Sequence, residues 1–172
     1  MNAKALFSPK EFTGVRVSVE STLQFDEVIK RLREFTGHTT VREVVALAEK
    51  SLSEADYIRE VTNRFVGQSG FMLFSEIDHG GWIGTFGIQR RSVRWILGNP
   101  LIAITMIRHD INAGLFVPVE LLVTEQLNGS GTSLLFIRPS SQIVVEDNPP
   151  LLQAAKDLDV KFDALISQVT QD

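Results

Sequence analysis

Apolar residues recur at two different periods along this chain, and glycines and prolines mark where one period gives way to the other. Val15, Val17 and Val19 alternate with Arg16, Ser18 and Glu20, the two-residue period of a strand with one buried face. Ser21 or Thr22 can cap the helix that follows, whose apolar positions Phe25, Val28, Ile29, Leu32 and Phe35 form one stripe. Gly37 is its expected left-handed stop. Thr40-Val41-Arg42-Glu43 is a capping box opening a second helix through Val44, Val45, Leu47 and Ala48. Ser53 caps a third, with Tyr57, Ile58, Val61 and Phe65 turned inward and Gly67 at its end. Residues 38–68 thus read as a helical insertion or lid.

Beyond Gly70 the pattern shortens. Phe71 to Ile77 predicts a buried strand turned by Gly80-Gly81, and Ser92 to Leu97 predicts another. Asn99 is placed to cap a short helix with Pro100 at its first position. Leu115 to Glu125 predicts a third strand, in which Pro118 marks an edge or a bulge. Asn128-Gly129-Ser130-Gly131 is a hairpin-turn signal that returns Thr132 to Arg138 antiparallel. A last helix from about Pro150 to Val169 carries a core stripe of Leu151, Leu152, Ala155, Leu158, Phe162, Leu165, Ile166 and Val169. The order predicts an α+β fold in a single domain over 1–172, with an antiparallel sheet of about four to five strands backed by helices. Its long apolar strand leaves a sheet face for the helical insertion or a second subunit to cover.

Several of these segments together resemble one family. They are the early strand leading to the Phe25-Asp26-Glu27-Val28 helix, the Ile77-Asp78-His79 strand end, and Gly98-Asn99-Pro100 leading into a helix that ends with Met106. Gly114-Leu115-Phe116-Val117-Pro118-Val119, the acidic Glu125, Pro139-Ser140 and Leu158-Asp159 complete the pattern. It resembles the uncharacterised-domain family 302 (DUF 302) over about residues 13–170, most specifically 70–141. The helical segment 38–68 and the Gly80-Gly81-Trp82 turn depart from the usual pattern. The resemblance implies a compact antiparallel sheet backed by helices, commonly as a homodimer, and no established chemistry.

Composition narrows the function classes. A chain of 172 residues buries about 70% of its unfolded surface on folding. The net charge of −4 argues against nucleic acid, which needs a clustered positive footprint. The absence of cysteine excludes disulfides, thiolate metal sites and a cysteine nucleophile. No apolar run approaches the ~20 residues of a spanning helix, and Met1 to Phe7 lacks a signal-peptide core, so a soluble cytoplasmic protein without membrane contact is expected.

Asp78-His79 is the first candidate for chemistry. An imidazole beside a carboxylate, at a strand end before two glycines, suits a general acid or base, and Glu76 shares the strand face of Asp78. The same residues also suit a turn in which Asp78 bonds nearby amides. His109-Asp110 and the remaining carboxylates lack the spacing of a metal site, so neither a metal nor another cofactor is expected. Arg94 on a strand can grip an anion or pair with Glu120 or Glu125. Gly80-Gly81-Trp82-Ile83-Gly84 has neither dinucleotide spacing nor a P-loop lysine, and reads as a turn carrying Trp82 across a cleft. Ser140-Ser141 lacks a nucleophile-elbow context.

The reading that fits these features best is a cofactor-independent domain that binds a small, largely apolar or weakly acidic molecule between the sheet and the 38–68 insertion, through Trp82, Arg94, Met106 and Glu125. The alternatives are an isomerase, cyclase or lyase moving a proton with His79, Asp78 and Glu76, and a structural dimer module.

Overall fold

The computed structural model describes residues 6–51, 53–127 and 129–171. The N-terminal reading over residues 1–5 and the turn position Asn128 lie outside them. The chain forms β1 (Arg16–Ser21), α1 (Phe25–Phe35), β2 (Gly37–His38), α2 (Val41–Lys50), α3 (Glu54–Phe65), β3 (Met72–Asp78) and α4 (His79–Ile83). There follow β4 (Ser92–Gly98), α5 (Pro100–Ile107), β5 (Val119–Glu125), β6 (Thr132–Ile137), α6 (Pro139–Ile143) and α7 (Pro149–Thr170). Short 3-10 turns at Gly84–Phe86 and Ile111–Leu115 separate some of them.

The strands form one sheet in the order β1-β6-β5-β4-β3-β2. All neighbours run antiparallel except β2, which lies parallel to β3 with Gly37 opposite Met72. The α+β class holds, but the sheet has six strands and is mixed. Gly37 explains the difference. It is not a left-handed helix stop; its N–H donates to the Phe71 carbonyl at 2.9 Å and draws the chain alongside β3. A Cβ there would sit 1.7 Å from the Phe65 carbonyl oxygen, and one at Gly67 would sit 2.2 Å from the Gly37 nitrogen. The two glycines let the backbones after α1 and α3 touch.

One sheet face carries the main core. Val93, Trp95 and Leu97 of β4, Leu121 and Val123 of β5, and Leu134 and Phe136 of β6 cluster with the stripes of α1 and α7. Each fully buried Leu or Phe there stabilises the fold by about 1.5–3 kcal/mol. The α7 stripe is as expected except Leu152, which remains 37% exposed. Trp95 is wholly buried, and its indole N–H finds no hydrogen-bond partner among the described residues. A smaller cluster joins Val44 and Leu47 of α2 and Val61 of α3 to Met72 of β3. Opposite the main core, Leu122, Leu135 and Ile137 are only half-buried.

Several local expectations resolve into different elements. The capping box of Thr40 and Glu43 forms in full, and Ser53 accepts from the Asp56 N–H. Ser21 does not cap α1, which starts after Gln24; its hydroxyl donates to the Thr170 carbonyl and holds the end of α7. The strand expected from Leu115 starts only at Val119. Asp110 accepts from the Asn112 N–H and folds Ile111–Leu115 into a 3-10 turn, and Pro118 has no N–H for the ladder. Gly80-Gly81 lies within α4, capped by Asp78. Among the described residues no helix is long and apolar enough to cross a membrane.

Candidate functional site

The corner at Gly98-Asn99-Pro100 builds an almost wholly apolar cavity. The Asn99 side-chain oxygen accepts from the Leu101 N–H at 2.8 Å, and its amide donates to the Gly70 carbonyl at 2.9 Å. One side chain therefore caps α5 and ties it to the entry of β3. A Cβ on Gly98 would stand 2.9 Å from Pro118 Cβ and 3.0 Å from the Phe74 ring, so β4 and the approach to β5 close together only around glycine. Above this corner lies a cavity of about 230 Å³. Its walls are Val41, Val44 and Val45 of α2, Phe71 and Phe74 at β3, and Ile102, Ala103, Met106 and Ile107 of α5. Gly114, Val117, Pro118 and Val119 before β5, and Leu158 of α7, complete it. Val41 is 60% and Val45 51% exposed, which places them at the mouth, while Met106 is fully buried at the floor.

Nine of the resemblance residues meet at the cavity. Gly98, Asn99, Pro100, Met106, Gly114, Val117, Pro118, Val119 and Leu158 all line it. Just outside, Asp159 accepts from the Ser140 N–H at 3.0 Å and from its hydroxyl at 2.6 Å, so Pro139-Ser140 and Leu158-Asp159 are two halves of one clasp. Ser140 is spent on that clasp.

The acid–base candidates do not assemble into one site. Glu76 faces α1 and accepts from Arg33 at 2.7 Å. Asp78 accepts from the Gly81 N–H at 3.0 Å and opens onto a polar groove with Arg90, Arg91 and Glu125. His79 opens onto a different groove over the other sheet face, beside Arg94, Leu122 and Leu135. Its Nδ1 accepts from the Trp82 indole at 3.4 Å. Neighbouring in sequence, the aspartate and the histidine thus point into separate spaces.

Of the four residues expected to hold a ligand, the apolar cavity contains Met106 alone. Trp82 is 54% exposed and packs edge-on to Phe86. Arg94 pairs with Glu120 across β4 and β5. Glu125 ends β5, with its carbonyl accepting from Arg90 Nε at 2.8 Å. Arg91 is likewise engaged, forked onto Asp26 and stacked 4.2 Å from the centre of the Phe25 ring. That pairing raises the Arg91 pKa and lowers that of Asp26. The cationic side chains of the polar groove are thus occupied. Among the described residues no cluster of three or more His, Asp or Glu could hold a metal ion.

The sequence places the cover in the 38–68 segment, which contains α2, and names Met106 of α5, but not the other wall residues of these two helices, although both left a trace. Val41 and Val45 stand off the buried stripe of Val44 and Leu47, so α2 is apolar on more than one side. The run Pro-Leu-Ile-Ala-Ile-Thr-Met-Ile of α5 is apolar almost all round, yet only Met106 is fully buried. A helix of that kind either lies in a core or faces a cavity.

Comparison with known proteins agrees with the fold. The family model described as "Domain of unknown function DUF302" matches residues 47–169, a span that includes α3 and the last four residues of α2. A solved structure, the crystal structure of an uncharacterized conserved DUF302 protein from Bacillus stearothermophilus, superposes with a TM-score of 0.63 at 18% identity. The match covers 90% of this chain and 97% of that one. No curated protein matches.

Proposed function

The chain belongs to the DUF302 family of domains of unknown function, and from that footing we propose that it binds a small, largely apolar molecule in the cavity between α2 and α5. The observation that carries this reading is the convergence of the family-like corners on one apolar space of about 230 Å³, open to solvent at Val41 and Val45. An apolar space of that kind favours hydrophobic guests. The grooves holding Asp78 and His79 support the reading less well. They are more open, and their cationic side chains Arg91 and Arg94 already pair with Asp26 and Glu120.

A thermal-shift screen with hydrophobic alcohols, phenols, aromatic hydrocarbons and acids tests the proposal. A binder at a hundredfold excess over its Kd stabilises by about 2.7 kcal/mol. The shift is expected in the native chain and not in Gly114→Leu, which places a side chain in the cavity wall. Uniform absence of stabilisation overturns the reading.

We also propose a homodimer, in which a second copy covers the half-buried Leu122, Leu135 and Ile137 beside the exposed Trp82 and Phe86. Light scattering then gives twice the chain mass of 19.2 kDa, and a mass equal to it refutes the pairing.

A further inference from the structure

Resting on the reading of the cavity as a binding site, we infer that it selects uncharged ligands of about nine heavy atoms and rejects their carboxylate counterparts. A buried charge needs an opposite charge or hydrogen-bond donors around it. The lining side chains include no titratable group, and the single polar one is Asn99. Both ends of its amide are engaged, with the Leu101 N–H at 2.8 Å and the Gly70 carbonyl at 2.9 Å.

A second feature that could hold an anion is the start of α5, which also lines the cavity. Helix N-termini bind anions through unpaired N–H groups, and here those are consumed. Pro100 has none, and the Leu101 N–H is held by the Asn99 side chain. The Ile102 and Ala103 N–H groups donate to the Asn99 carbonyl at 3.0 Å and 2.9 Å. The helix start is closed by its own cap.

A carboxylate seated inside the mouth loses its water and meets no cationic side chain, a penalty equivalent to at least about a hundredfold in affinity. Size follows from volume. An apolar cavity of about 150 Å³ takes benzene, so in proportion about 230 Å³ takes about nine heavy atoms.

The test is isothermal titration of the whole chain with indene, indole and benzoate, each of about nine heavy atoms, and with the longer biphenyl. Indene is expected to bind, and benzoate at least about a hundredfold more weakly. Indole, whose N–H meets no free acceptor among the lining side chains, falls between, and biphenyl binds at least about tenfold more weakly than indene. Gly114→Leu and Ala103→Leu narrow the cavity from two sides and abolish indene binding while retaining a cooperative urea transition. Gly114 is suited to this because a Cβ there meets only Ile107 Cδ1, at 4.0 Å. If benzoate matches indene and both variants abolish both, charge selection is wrong and the cavity reading stands. Biphenyl binding as tightly as indene overturns the size limit. Binding of indene that survives both variants, or absence of binding by every probe, overturns the cavity reading and the inference with it.

Discussion

Replacing Asn99 removes two hydrogen bonds with one substitution, and their separate magnitudes can be worked from the structure. The side-chain oxygen caps α5 at the Leu101 N–H, a contact whose loss to Ala costs about 1 kcal/mol. The amide nitrogen satisfies the Gly70 carbonyl, and Asn99 is only 8% exposed, so deletion leaves that acceptor short at a further cost of about 1–2 kcal/mol. Asn99→Ala is therefore expected to lower the unfolding free energy by about 2–3 kcal/mol. Asn99→Ser keeps a capping oxygen and loses only the Gly70 bond, so it should cost about half as much. Urea unfolding followed by circular dichroism measures both, with an unchanged m-value showing that the same surface unfolds. A loss below about 0.5 kcal/mol for Asn99→Ala, or equal losses for Ala and Ser, refutes the double role of this side chain.

Other substitutions probe the remaining contacts. Gly37→Ala forces a Cβ to within 1.7 Å of the Phe65 carbonyl and should cost at least about 3 kcal/mol, whereas Gly114→Ala has room and should be neutral or stabilising by about 0.4–1 kcal/mol. Asp159→Ala opens the clasp on Ser140 and should cost about 1–3 kcal/mol in the same unfolding assay, with Ser140→Ala costing less because Asp159 still accepts from the backbone. Acid destabilisation follows from Glu20, whose carboxyl is held below its ordinary value of 4.5, first by the Ser133 hydroxyl and then by Ser18, Gln126 and Arg90. The unfolded chain takes up that proton first, so the stabilisation is complete above pH 4.5 and is lost as pH falls through the lowered native value. Glu20→Gln should flatten that acid limb of the stability profile and leave its neutral slope unchanged.

Much of the fold was legible because local chemistry and tertiary role agree. The α1 stripe, the Thr40–Glu43 box, the Asn99 cap and the α7 stripe each carry their own signal over a few residues. What escaped depends on contacts distant in sequence. Gly37 looks like a helix stop until Phe65 is brought against it, and β2 exists only because that approach is possible. The apolar run after Gly114 has strand composition, but Asp110 and Pro118 fold its first part into a turn. The site was legible only in part for the same reason. Met106 falls in the cavity, and the Gly98 and Pro118 corners shape it. The adjacency of Asp78 and His79 carries no information about direction, and the start of α4 sends them into separate grooves.

The claim that the cavity between α2 and α5 is the binding site is tested most directly by methyl-resolved NMR of the native chain titrated with indene. Shifts are expected at Met106, Ile102, Val44 and Val117, which line the cavity, with Leu122, Leu135 and Ile77 of the open sheet face unmoved. Shifts confined to Leu122, Leu135 and Ile77, with Met106 unmoved, would contradict it.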